Sequence, residues 1–237
     1  MEYGVRSIGL DFVNAYLLNA GNGFVLIDTG LPFQWEALDG ELQKAGCVPG
    51  NLKLVVITHA DQDHTGNVLL LREKYKVKIA MHPADAAQAE RGIMLKRKVQ
   101  PLLYRLLFTV RMLVRILLGN KVSAPKFTPD ILLSDGQSIE EYGLDAKIIH
   151  LPGHTPGSIG ILTGKGDLFA GDTFVNRKKP SSANIIENEA ALMYSLDRIR
   201  NMNVKMVYPG HGKPFAMEKD VRDCSMLEKN GAGRLGG

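Results

Sequence analysis

The nine residues from Thr58 to Gly66, THADQDHTG, restrict this chain more than any other feature. They close the apolar run LKLVVIT (52–58) and set His59, Asp61, Asp63 and His64 within six positions. Four nitrogen and oxygen donors on one tight turn would repel one another, or stay unsatisfied at high cost if buried without a cation. A pair of divalent ions would use all of them. The bland alternative is a solvated, Asp- and His-rich turn that caps a helix.

The other histidines narrow the choice. Five of the six end or closely follow an apolar strand: His59, His64, His150, His154 and His211. Strand ends are where α/β-type folds build their sites. LPGHTPGS (151–158) supplies His154, AGDT (170–173) supplies Asp172, and YPGHG (208–212) supplies His211. Each alone is an ordinary polar residue; the ordered set is informative. His150 reads as a strand residue beside the site, His82 as a helix entry before Pro83, and Asp135, Asp145 and Asp167 as turn residues. Nothing places a base beside Cys47 or Cys224, so both read as inert thiols.

Strand and helix signals follow in a definite order. YGVRSIGL, VNAYLLNA and GFVLID predict an opening β-meander. A helix over 34–45, the strand at 52–58, a helix over 69–75, a strand over 76–81 and a Pro-led helix over 83–92 come next. AKIIHL, SIGILT, DLFAG and VKMVYPG read as strands of a second half, with ENEAALMYSLDRIRN as its helix. Strand groups in both halves, each followed by helices, predict an α/β sandwich of two mixed sheets covered by helices. The expected organisation is one domain over 1–228, a helical insert at about 91–125, and a disordered tail over 229–237.

With those motifs in place, the chain resembles the metallo-β-lactamase-fold superfamily. LIDTG (26–30), THADQDHTG, LPGHTPGS, AGDT and YPGHG are similar to its five ordered motifs and span residues 26 to 212. The resemblance implies an αββα sandwich with two metal ions at one edge. It implies His59, Asp61 and His154 on the first ion, Asp63, His64 and His211 on the second, Asp172 bridging, and Asp28 orienting ligands by hydrogen bonding. Asp61 departs from the family's commoner pattern, which has a second histidine there. Three carboxylates and a bridging hydroxide would then balance two divalent ions, leaving a less electrophilic first site that tolerates Mn or Fe better. Zinc is still the expected metal.

The implied chemistry is hydrolysis by a hydroxide held between the metals, with one metal polarising the substrate carbonyl and Asp63 holding the attacking water. An ester, thioester or lactone with an apolar acyl part is the expected small-molecule substrate. The reason is the insert. Residues 91 to 129 hold nine Lys or Arg and no Asp or Glu, while the net charge of the whole chain is +4. At 100° per residue Leu102, Leu103, Leu106, Leu107, Val110, Leu113, Val114, Leu117 and Leu118 share a wide arc, with Arg105, Arg111 and Arg115 on the remainder. The helix is expected to pack on the domain, to act as a lid in which Leu106, Val110 and Leu113 meet the substrate, or to lie on a membrane surface through 102–119. Three arginines argue against a transmembrane span.

Other functions are weighed by the same residues. The N-terminus lacks an export pattern, and two isolated cysteines suit a reducing compartment, so a cytoplasmic protein is expected. That, with Asp172 where one secreted zinc class uses Cys, disfavours a β-lactamase. The 26 residues after His211 are too few for the glutathione-binding domain of glyoxalase II. Acyl-homoserine lactonases share the size and insert but have His at the position of Asp61. A di-iron oxygen-binding or sensor protein is the main alternative, since flavodiiron-type members carry a carboxylate there. A phosphodiesterase is a further one; nucleic acid is not an expected partner.

Overall fold

The computed structural model describes residues 3–92, 98–99, 106, 109–110, 113–114, 116–117, 119, 124–183 and 185–217. The tail at 229–237, Cys224 and much of the insert lie outside them. In chain order the elements are β1 (Gly4–Leu10), β2 (Val13–Asn19), β3 (Phe24–Ile27), α1 (Trp35–Lys44), β4 (Leu52–Val56), α2 (Gln62–Thr65), α3 (Val68–Tyr75), β5 (Ile79–Met81), α4 (Pro83–Arg91), β6 (Lys98–Val99) and β7 (Ile131–Leu132). The second half adds β8 (Ala146–His150), β9 (Ile159–Thr163), β10 (Asp167–Asn176), β11 (Pro180–Ser182), β12 (Ile185–Ile186), α5 (Glu189–Arg200), β13 (Met206–Gly212) and β14 (Phe215–Ala216).

Two mixed sheets result. The first runs β1-β2-β3-β4-β5-β7, antiparallel through the opening meander and parallel from β3 onward. The second runs β14-β13-β10-β9-β8 with β11 on β10, and β10 and β13 are its parallel pair. A separate ribbon pairs β6 with β12.

Alternation along single strands sorts side chains into layers. On β2, Ala15 and Leu17 join the core under α1 and α3, with Leu38, Leu42 and Leu71. Their neighbours Tyr16 and Leu18 point the other way, to meet Ile148, Ile161 and Phe169 of the second sheet. Ile149 then faces Leu192, Leu196 and Ile199 of α5 on the far side. Helix, sheet, sheet and helix therefore stack as an αββα sandwich. Each such side chain taken from water contributes roughly 1.5–3 kcal/mol. The near-continuous apolar run of β4 follows from its place between two parallel neighbours, buried on both faces.

The structure shortens one expected strand and lengthens another. Strand β5 begins at Ile79, because Lys76 ends α3 in the left-handed conformation, φ 53°, and Val77 and Lys78 lie outside any strand. Strand β10 runs on through Gly171 and Asp172 to Asn176, with two register breaks against β13. Such breaks bend a strand and re-aim its side chains. Helix α4 opens as its sequence predicts, with Pro83 at its start and His82 Nδ1 accepting from Ala84 N–H at 3.2 Å.

Candidate metal centre

Strand ends from both sheets converge on one edge of the sandwich. Asp28 follows β3, His59 and Asp61 follow β4, Asp63 and His64 lie in α2, and His154 lies in the turn after β8. Asp172 and His211 come from the bent pair β10 and β13. The structure brings together all seven residues of the expected ligand set. Asp61 Oδ2 is 3.1 Å from His154 Nε2 and 3.5 Å from His59 Nε2. Asp63 Oδ2 is 3.5 Å from His211 Nε2 and 4.0 Å from His64 Nε2. Asp172 stands between, with Oδ1 3.3 Å from His64 Nε2 and Oδ2 3.1 Å from His211 Nε2 and 3.8 Å from His154 Nε2. Among the described residues two groups are compact enough to hold a cation, His59, His154 and Asp172, and Asp63, His64 and His211.

Each histidine is fixed through Nδ1, which leaves Nε2 aimed inward. His154 Nδ1 donates to the Ile185 carbonyl at 2.6 Å, and His211 Nδ1 donates to the Phe12 carbonyl at 2.5 Å. His64 Nδ1 donates to Asp28 Oδ2 at 2.8 Å. The Thr58 hydroxyl donates its one proton to the same oxygen at 2.8 Å, so it accepts from His59 Nδ1 at 3.0 Å. One buried carboxylate thus orients His64 directly and His59 through Thr58. Asp28 holds this place in a left-handed backbone conformation, φ 58°, which Asp tolerates better than most residues.

The charges of the cluster call for a cation. Burial works against ionising Asp61 and Asp172, yet His154 and His59 hold the first well below the ordinary carboxylate range, and His211 and His64 do the same for the second. Burial likewise opposes a charge on His64 and His211, but Asp28, Asp172 and Asp63 raise His64 well above its ordinary value, and Asp172 raises His211. His59, lowered by burial and by His64, stays neutral at neutral pH. The carboxylates thus draw His64 and His211 toward positive charge, the role that a divalent ion at Nε2 would fill in place of a proton.

Two further observations test the fit to a metal. His59 Nε2, His64 Nε2 and Asp172 Oδ1 are buried without a hydrogen-bond partner, a costly arrangement that coordination would relieve. Gly210 lines the same cradle, where an added Cβ would come within 2.2 Å of Asp172 Oδ1 and 2.8 Å of His64 Cε1. The space has to stay open. These residues fit a pair of divalent ions.

The sequence reading missed Asp85. This residue of α4 is 1% exposed, and its carboxylate accepts from Ala60 N–H at 3.0 Å and Gly157 N–H at 2.7 Å. It therefore ties the loop of His59 and Asp61 to the loop of His154. The one signal available was an Asp in the first turn of a Pro-led helix, a pattern that also suits plain helix capping. His150 points away from the cluster, donating through Nε2 to the Pro156 carbonyl at 2.8 Å and stacking on His82 at 4.1 Å between ring centres. Asp135 holds Arg198 at 2.7 Å. Cys47 is buried, its thiol pushed up to about 12 by burial and by Asp39. Leu106, Val110 and Leu113 are 58%, 50% and 52% exposed, and the ribbon that opens their insert pairs Val99 with Ile185, whose carbonyl anchors His154.

A two-sheet sandwich with two cation-competent groups of His and Asp at one edge defines a class of metal-site proteins. The chain belongs to the metallo-beta-lactamase superfamily, whose family model matches residues 8–211. It is 29% identical over 206 residues to a protein of Methanocaldococcus jannaschii described as a probable metallo-hydrolase, covering 84% of this chain and 87% of that one. It is 24% identical to the beta-lactamase-like protein 2 homolog of Drosophila melanogaster, over 86% of this chain but 59% of that one. A metallo-beta-lactamase family protein of Thermus thermophilus has the same fold, with a TM-score of 0.68 at 22% identity over 93% of this chain and 75% of that one.

Proposed function

We propose that the chain is a metal-dependent hydrolase and that its substrate is an ester, thioester or lactone with an apolar acyl part. The observation that carries the hydrolytic reading is the convergence of four anchored imidazole Nε2 atoms on three carboxylates at 3.1 to 4.0 Å. The probable metallo-hydrolase of M. jannaschii supports the same reading. His59, Asp61 and His154 would hold one ion and Asp63, His64 and His211 the other, with Asp172 shared. When bound, two divalent ions, zinc first and manganese or iron next, would supply Lewis acidity and lower the pKa of water.

The remaining work falls to the chain. Asp63 is the most open of the three carboxylates, with a side chain 19% exposed against 8% for Asp61 and 11% for Asp172. It is placed to accept a hydrogen bond from the attacking water and to pass a proton toward the leaving group. Asp28 and Thr58 hold two imidazoles in the tautomer that presents Nε2. The apolar acyl part is assigned to Leu106, Val110 and Leu113, because the β6–β12 ribbon roots their insert beside His154.

The test is proton release by the metal-loaded protein on esters, thioesters and lactones of increasing acyl length, beside a phosphodiester and a β-lactam. Turnover should rise with chain length and fall by at least about 100-fold in Asp63→Asn, as for a lost acid–base group. Full activity in Asp63→Asn would remove its proton-transfer role. Acyl substrates left untouched by a protein that binds two irons and absorbs visible light would favour the oxygen-binding alternative that Asp61 suggests.

A further inference from the structure

Of the residues assigned to the first ion, His59 and His154 are fixed through Nδ1 and each present one atom, Nε2. Asp61 differs. A carboxylate has two oxygens, and an ion can take one of them or both. In the structure the two face different ways. Oδ2 faces the cluster, 3.1 Å from His154 Nε2 and 3.5 Å from His59 Nε2. Oδ1 faces α4, where it accepts from Gln88 Nε2 at 3.5 Å.

Helix α4 places Gln88 for this contact. Gln88 follows Asp85 by three residues, so the two share a helix face, and both reach the peptide at Ala60. Asp85 accepts from Ala60 N–H at 3.0 Å, while Gln88 Nε2 donates to the Ala60 carbonyl at 3.4 Å. The helix is held at both ends, by His82 at its start and by the Gly92 N–H on the Gln88 and Ala89 carbonyls at its close. Gln88 is 6% exposed, and its Oε1 is buried with no hydrogen-bond partner among the described residues. An apolar side chain would fill the same space without leaving that oxygen unpaired. What the glutamine adds is its N–H donors. The reverse orientation of the amide would set Oε1 against two acceptors, so the donor side has to face Asp61 and Ala60.

We propose that Gln88 keeps Asp61 a one-oxygen donor and thereby sets the preference of the first ion's site for zinc over manganese. Zinc is commonly four-coordinate in proteins, whereas manganese favours six positions rich in oxygen. With Oδ1 engaged by Gln88, Asp61 adds one donor, as each histidine does. With Oδ1 released, both oxygens are open to the ion, and the donor count rises toward what manganese accepts. Gln88 is a positioning residue that acts through Asp61, and its role rests on the assignment of Asp61 to the first ion.

The experiment measures zinc and manganese affinities of the full chain by chelator competition, without turnover. Gln88→Met keeps the length of the side chain and removes the donor. The ratio of zinc to manganese affinity should fall at least about tenfold, as for a lost outer partner of a ligand. Gln88→Asn, still an amide but one methylene short of Asp61, should give the same fall and serves where the methionine variant folds poorly. In an Asp61→His background, where residue 61 offers a single atom to the ion, Gln88→Met should leave the ratio unchanged. A ratio unmoved by both substitutions, equal losses for the two metals, or the same fall in the Asp61→His background would overturn the proposal. Unchanged zinc affinity in Asp61→Ala would remove Asp61 from the ligands and overturn it together with that assignment. Zinc affinity lost in Asp61→Ala beside a steady ratio in Gln88→Met would overturn the role of Gln88 alone.

Discussion

The metal cleft and the insert both invert the usual burial of side chains, in opposite senses. In the cleft, the four histidines, Asp61 and Asp172 are all buried, from 0% exposed at His64 to 9% at Asp172, and Asp63 alone is more open. In the insert, large apolar side chains stand about half exposed or more. The cleft is held by hydrogen bonds from several elements, because a buried polar group without a partner costs far more than a surface one. The apolar side chains described in the insert face solvent instead. An inversion that is braced in this way marks a site whose geometry matters.

That contrast should appear first in stability. Asp85→Ala would leave the Ala60 and Gly157 amides without their buried acceptor and cost about 2–4 kcal/mol in denaturant unfolding. A loss below about 1 kcal/mol would mean that the two loops do not depend on this carboxylate. Asp28→Ala removes the anchor of His64 and, through Thr58, of His59, so metal affinity in a chelator competition should fall about 10- to 100-fold. Unchanged affinity would place the orienting role elsewhere.

Asp39 sharpens the comparison as a buried carboxylate whose partner cation is a lysine of the chain and not a metal ion. Burial opposes its charge, but Lys74 Nζ at 2.6 Å and Tyr75 Oη at 2.8 Å outweigh that and hold its carboxyl below the ordinary value. A depressed folded-state value contributes stability above the unfolded value near 4, and that stability is lost as pH falls below it. That contribution should vanish on acid titration below about pH 4 and be absent at all pH values in Asp39→Asn. The smallest effect belongs to the insert: Leu117→Asp should change unfolding stability by no more than about 0.5 kcal/mol. A larger loss would show the Leu117 side chain to be packed on the domain.

Much of this was legible in the sequence because the relevant signals are local. The strands around the site end in His or Asp, and alternating burial separates the layers of β2 and β8. The seven clustered residues and Asp28 could be found by motif. Asp85 could not, since its role depends on two loops that are 25 and 72 positions away in the chain. The two-residue strands β6, β7 and β12 were equally hidden, because their pairing is made by partners and not by any pattern of their own. Strand β10 was cut short at Gly171, where a Gly-Asp-Thr sequence resembles a strand end while in the folded chain it is a bend within one.

The shared anchor at Asp28 also limits how this protein can diverge. A change at that one position reaches an imidazole in each cation group at once. The two halves of the centre therefore cannot be retuned separately through it. Drift toward a different metal or a single-ion centre has to proceed through the residues that serve one group alone, such as Asp61 or Asp63, and leave residue 28 where it is.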